Sequence, residues 1–110
     1  MKLRQKPVTV LHYTAAGKGR TSPIERKIDG ARILEELEGL GLNCGEIKSR
    51  VCSNGNVLMY YNDLKDRKTT LSINGKNYCG DVVFVGMNRA EVTDLTRARI
   101  RAIKLVVKRG

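Results

Sequence analysis

This sequence predicts a single small α+β domain, a mostly antiparallel sheet of hairpins carrying two helices, in the order β-β-α-β-β-β-β-α over residues 1–110. Three observations predict it. Asn54-Gly55 and Asn74-Gly75 each sit between β-prone runs, and Asn-Gly is the strongest short-range hairpin signal because both central residues of the tight turn need positive φ. "GARILEELEGLGL" has apolar residues at helical spacing. The closing "TDLTRARIRAIKLVVKRG" is too long for a typical strand and offers Thr96 as a helix N-cap.

"KPVTVLHYT" (6–14) alternates Val8, Val10 and His12 against Thr9, Leu11 and Tyr13, which reads as a strand. "PIERKID" (23–29) reads as a second, polar strand, and Pro23 at its start suits a sheet edge. Asp29 is placed to cap the first helix. Ile33, Leu34, Leu37 and Leu40 fall on its apolar face, Glu35, Glu36 and Glu38 face water, and Gly39 and Gly41 end it. "EIKSRVC" (46–52), the turn "SNGN" (53–56) and "VLMYYND" (57–63) make one hairpin. "TLSI" and "KNYCGDVVFVG" (76–86) make another, with "DVVFVG" apolar enough for a central strand. Two such hairpins in succession predict an antiparallel meander and not a βαβ nucleotide fold. In the last segment, Leu95, Ile100, Ile103 and Val107 form an apolar helical stripe.

The formal charge of +10 is spread as +5 over residues 1–30, −2 over 31–63 and +7 over 64–110. A balance of that size favours anionic partners. No apolar run is long enough for a membrane span, and "MKLRQKPVTV" lacks the apolar stretch of a signal peptide, so the expected compartment is the cytoplasm. Cys44, Cys52 and Cys79 form no CxxC pair and His12 is the only histidine, which excludes a structural zinc site and predicts reduced, buried cysteines. His12 has no nucleophilic partner at a telling spacing, and no carboxylate pair stands out. The expectation is a non-enzyme without catalytic residues, metal or cofactor.

"TAAGKGRTSP" (14–23) invites comparison with a phosphate-binding loop. A Walker A loop needs G-x-x-x-x-G-K-[ST] opening a helix. Here Gly17-Lys18 is followed by Gly19, arginine stands in Gly19-Arg20-Thr21 where lysine belongs, and Pro23 begins a strand. What remains is a loop whose Lys18 and Arg20, with Thr21 and Ser22, can grip a phosphate backbone without nucleotide chemistry.

The closing helix makes the stronger site. Over 97–108, Arg97, Arg101, Lys104 and Lys108 lie at i, i+4, i+7 and i+11 on one face. Arg97 and Arg99 stand in its first turn, where the helix dipole disfavours cations, and no acidic residue between 97 and 110 compensates them. Such a helix is explained most simply by a negatively charged partner. Tyr60, Tyr61 and Tyr78, beside Lys48, Arg50 and Lys76, offer at most a thin stacking platform for bases, with at least two of these tyrosines expected in the core.

Several segments resemble a family of small domains encoded by bacteriophages and mobile elements. "KIDGARILEELEGL" is similar to the family's "IDGT-x-x-LQ-x-L" helix start, and "VCSNGNVLMYYND" to its "VLVCNEEGKL" hairpin. "INGKNYCGDVVFVG" resembles a glycine-ended "I-x-G-D-I-x-G-x-x-F-I-V-G" segment, and "DLTRARI" its closing "SLT-x-x-D-I". The resemblance runs over residues 8–100 and implies a phage or mobile-element origin and a helix at the end. The family's tails are acidic where Arg97, Arg99 and Arg101 stand here, and no functional residue carries over.

The function expected from these readings is electrostatic binding of nucleic acid, DNA or RNA, in a host bacterial cytoplasm. Arg97, Arg101, Lys104 and Lys108 would carry it, seconded by Arg99, Lys18, Arg20, Lys2, Arg4 and Lys6. Two alternatives stand beside it. One is a counter-defence inhibitor docking on an acidic protein of the bacterial immune apparatus, of the CRISPR or restriction type. The other is an oligomeric sponge for a nucleotide signal.

Overall fold

The computed structural model describes residues 7–14, 23–43, 46–52, 55–62, 69–89 and 91–109. Strand β1 (Pro7–Tyr13) runs antiparallel to β2 (Ile24–Asp29), with Val10 opposite Arg26. Asp29 ends β2 and caps the next turn, its Oδ1 accepting the Ala31 N–H at 3.0 Å. That 3-10 turn (Gly30–Arg32) leads into helix α1 (Ile33–Gly39). Gly41, at φ 107°, turns the chain out of the helix in a conformation that disfavours side chains.

Strands β3 (Ile47–Cys52) and β4 (Val57–Asn62) pair antiparallel, Cys52 opposite Val57. Strands β5 (Thr69–Ile73) and β6 (Lys76–Cys79) close through Asn74 and Gly75, at φ 50° and 81°. Both central residues lie in the left-handed region that an Asn-Gly pair suits. The chain continues into β7 (Val82–Asn88), β8 (Glu91–Thr93), helix α2 (Arg97–Val106) and β9 (Lys108–Arg109).

The main sheet has the order β2-β1-β7-β4-β3, and every pairing is antiparallel. Strand β7 is central and β2 is an edge, as Pro23 and the apolar "DVVFVG" imply. One margin of β7 is shared: Val82–Phe84 pair with β1, and Gly86–Asn88 pair with β8. At the junction the Thr9 N–H donates to Asp94 Oδ1 at 2.6 Å and the Thr9 carbonyl accepts from the Leu95 N–H at 3.0 Å. A second, three-stranded sheet has the order β6-β5-β9.

Alternation along the strands builds two cores, one on each face of the main sheet. Val8, Val10, Leu58, Val83 and Val85 pack with Ile28, Leu42 and Leu37 of α1. Leu11, Tyr13, Met59, Val82 and Phe84 pack with Leu71 and Tyr78 of the small sheet and with Leu95, Ile100 and Ile103 at α2. A central strand buried on both faces must be apolar throughout, which is why "DVVFVG" does not alternate.

Four expectations change. The successive hairpins do not form a meander. β5 and β6 leave for the second sheet, and β7 returns between β1 and β4. The run 76–86 is two strands, broken where Gly80 adopts φ 73°. Helix α2 ends at Val106, because Val107 is extended (φ −81°, ψ 128°) and Lys108 enters β9. Leu34 is not on the buried face of α1, where Leu37 is fully enclosed and Leu34 is 55% exposed.

Candidate anion-binding face and its cleft

Helix α2 begins as its sequence requires. The Thr96 Oγ1 accepts the Arg99 N–H at 3.3 Å, the N-cap arrangement, and Ile100 and Ile103 turn inward. Those two positions fix the helix's rotation and leave Arg97, Arg101 and Lys104 on its exposed side. Lys108 follows on β9, also exposed, so the four cations do not form one continuous helical stripe. The β-branched pair Val106-Val107 favours the extended chain that interrupts it.

Arg97 is not left to repel its neighbours. Its Nη1 lies 2.8 Å from Glu25 Oε2 on β2, a compensation from a distant strand that local i,i+4 spacing does not reveal. The arginine remains 75% exposed, so the pair contributes less than about 1 kcal/mol. Arg99 is half-buried. Lys18 and Arg20, together with Lys2, Arg4 and Lys6, lie outside the described residues.

The tyrosines are core, not a platform. Tyr78 is buried, and Tyr61 packs edge-on against it with ring centroids 4.9 Å apart. Tyr60 packs on the α1 side, and burial pushes its hydroxyl pKa up. Arg50 Nη1 donates to Tyr78 Oη at 2.7 Å, and Lys76 Nζ stands 5.6 Å from the Tyr78 ring centroid. The hydrogen bond to Tyr78 raises the Arg50 pKa further and anchors the guanidinium on the small sheet.

Between the main sheet, the β5–β6 hairpin and α2 lies a cleft of about 290 Å³. Met59 and Phe84 contribute from the sheet, Ile73 from the hairpin, and Ala102 and Val106 from the helix, with Arg50 and Cys52 on β3. The elements around it share a charge bias. β3, β6, α2 and β9 carry lysine or arginine at 48, 50, 76, 97, 99, 101, 104, 108 and 109, and neither they nor the uncharged β5 hold any Asp or Glu. Glu35, Glu36 and Glu38 belong to α1, on the opposite face of the main sheet. Val51, Leu105 and Val106 are exposed close to this cleft, Leu105 at 86%.

Cys52 and Cys79 are half-buried, not fully enclosed as expected, and burial raises the pKa of the Cys52 thiol. Cys44 lies outside the described residues. His12 is a packed residue whose partners the sequence did not disclose. Its Nε2 lies 2.6 Å from Asp81 Oδ2, and its Nδ1 accepts from Arg26 Nε at 3.0 Å. With Nδ1 accepting, the proton belongs on Nε2, and the neutral ring satisfies both neighbours. Asp81→Ala should cost about 1–3 kcal/mol in urea unfolding, because the buried Nε2–H loses its acceptor.

Among the described residues no helix is long and apolar enough to cross a membrane, and no group of His, Cys, Asp and Glu could hold a metal. No protein family, curated protein or solved structure matches this chain.

Proposed function

We propose that this chain is a non-catalytic binding protein that engages nucleic acid electrostatically through the face formed by β3, β5, β6, β9 and α2. The observation that carries the reading is the segregation of charge: of the five elements around one cleft, β3, β6, α2 and β9 hold cations and β5 is uncharged, none holding Asp or Glu, while the glutamates of α1 stand on the other side of the sheet. A phosphate backbone needs exposed cations spaced along a surface, and Arg101, Lys104, Lys108, Lys48 and Lys76 are all exposed. Such contacts position a strand without reading its bases, so sequence preference should be weak.

Fluorescence anisotropy with labelled single-stranded DNA, duplex DNA and RNA over a salt series tests it. Affinity should fall by about 0.7–0.9 log units per log unit of salt for each phosphate contact. Arg101→Ala, Lys104→Ala and Lys108→Ala combined should weaken binding and flatten that slope by about two to three. Salt-independent traces, or a triple variant indistinguishable from wild type, would overturn the reading.

One observation favours a second. Leu105 and Val106 stand exposed on α2 alongside Arg101 and Lys104, and exposed aliphatic side chains add nothing to a phosphate contact. They suit an acidic protein surface, the chemistry expected of a counter-defence inhibitor. In that case, anisotropy with nucleic acid stays flat while Leu105→Ser weakens capture of the protein target.

A further inference from the structure

We propose that the cleft beneath α2 is a binding site for a small amphiphilic anion, an apolar chain or ring ending in a carboxylate held by Arg50. This goes beyond the electrostatic reading of the surrounding face, which needs no cavity.

Size sets the first constraint. A volume of 290 Å³, at roughly 30 Å³ for each water-sized group, accommodates about ten heavy atoms. An eight-carbon carboxylate has that size. The lining sets the second. Val57, Met59, Phe84 and Ile103 form its buried apolar floor and Ile73 and Val106 its accessible apolar walls, so an occupant must bring apolar surface to displace water from those walls and cover the floor. A nucleobase fits poorly, because the donors and acceptors on its edges would lose water and find few partners. A hydrocarbon chain loses nothing on entry.

Charge sets the third. Arg50 is the single charged residue among the described residues that line the cleft, and the elements that supply them contain no carboxylate on this lining. The guanidinium spends one N–H on Tyr78 Oη, which orients it, and among the described residues the rest of its planar fork is open to an anion. Cys52, another titratable group on the lining, is kept as a neutral thiol by burial, so it does not repel a carboxylate. An apolar interior with one oriented cation selects a molecule with an apolar body and a single negative end.

The test is an amide-resolved NMR titration of the intact chain with butyrate, hexanoate, octanoate and octanol. Octanoate should shift the amides of Val51, Cys52, Ile73 and Val106. Affinity should rise by up to about fourfold per methylene along the series. Octanol, matched in length and uncharged, should bind about tenfold more weakly or worse, and Arg50→Gln should bring octanoate down to that level. Ala102→Phe, which fills the cleft, should abolish octanoate binding while leaving affinity for labelled nucleic acid unchanged. Conversely, the Arg101/Lys104/Lys108 triple alanine variant should lose nucleic acid and keep octanoate, so each reading fails separately. The proposal is overturned if octanoate produces no shifts at millimolar concentration, if affinity is independent of chain length, if octanol equals octanoate, or if the shifts map to Leu105 alone. The wild-type length series decides the matter even where a variant does not fold.

Discussion

Replacing Gly86 with alanine should cost about 3 kcal/mol or more, the upper end of what overpacking a well-filled interior usually costs. Gly86 is buried on β7 where that strand passes from β1 to β8, and an added Cβ would stand 2.5 Å from the Asp94 carbonyl oxygen and 2.7 Å from that of Thr93. Both atoms are backbone, and Asp94 is held in turn by the Thr9 N–H, so neither can swing aside as a flexible side chain would. Relief requires the β8–α2 connection to move away from the sheet. The comparison is Gly39→Ala, at the last residue of α1, where nothing lies within 4 Å of the new Cβ. There the alanine should be neutral or stabilising by up to about 1 kcal/mol, through the lower entropy of the unfolded chain. Urea unfolding of both variants measures the contrast, and equal midpoints would contradict it.

Phe84→Ala should be at least as damaging, at about 3–5 kcal/mol. The ring is fully buried at the middle of β7, meets Tyr13 edge-on with centroids 5.7 Å apart and 73° between planes, and shares its core with Ile100 and Ile103 of α2. Alanine removes the contact between the sheet and α2 at its centre. The lining cannot collapse cheaply around the void, because β1 and β4 hold β7 on both sides. Small domains are stable by only about 5–15 kcal/mol in total, so this one substitution should move the urea midpoint by a large fraction of its value. Phe84→Leu, which keeps most of the volume, should cost far less, about 1.5 kcal/mol or below. A loss below about 1.5 kcal/mol for the alanine variant would show that the core around α2 is loosely packed.

Local chemistry made much of this architecture legible in the sequence. The Asn74-Gly75 turn, the Asp29 and Thr96 caps, the edge strand after Pro23 and the doubly buried "DVVFVG" are each written in a few adjacent residues, and each occurs where it was expected. What escaped was written across distance. β8 and β9 have three and two residues, and they are strands only because β7 and β5 offer them partners. The end of α2 at Val106 carries no glycine or proline to announce it, only two β-branched residues in succession. At the candidate site, the cations of α2 were visible by spacing, but the cleft was not, because it is enclosed by separate parts of the chain. The Arg97–Glu25 and His12–Asp81–Arg26 groupings likewise join residues 72, 69 and 14 positions apart, which no motif spans.

Strand β3 forms one margin of the main sheet, and Lys48, Ser49, Arg50 and Val51 on it are all exposed. An outermost strand is a template on which another copy can add its own strand, and chains that leave such a margin bare are prone to fibre formation. Here an antiparallel match of two β3 strands centred on Ser49 would set each Lys48 against an Arg50, a like-charge opposition that destabilises cross-strand pairing. The residues proposed to attract anions would thus also discourage the protein from polymerising on itself. Selection acting on Lys48 and Arg50 would answer to both pressures if that proposal holds, and to the second alone if it does not.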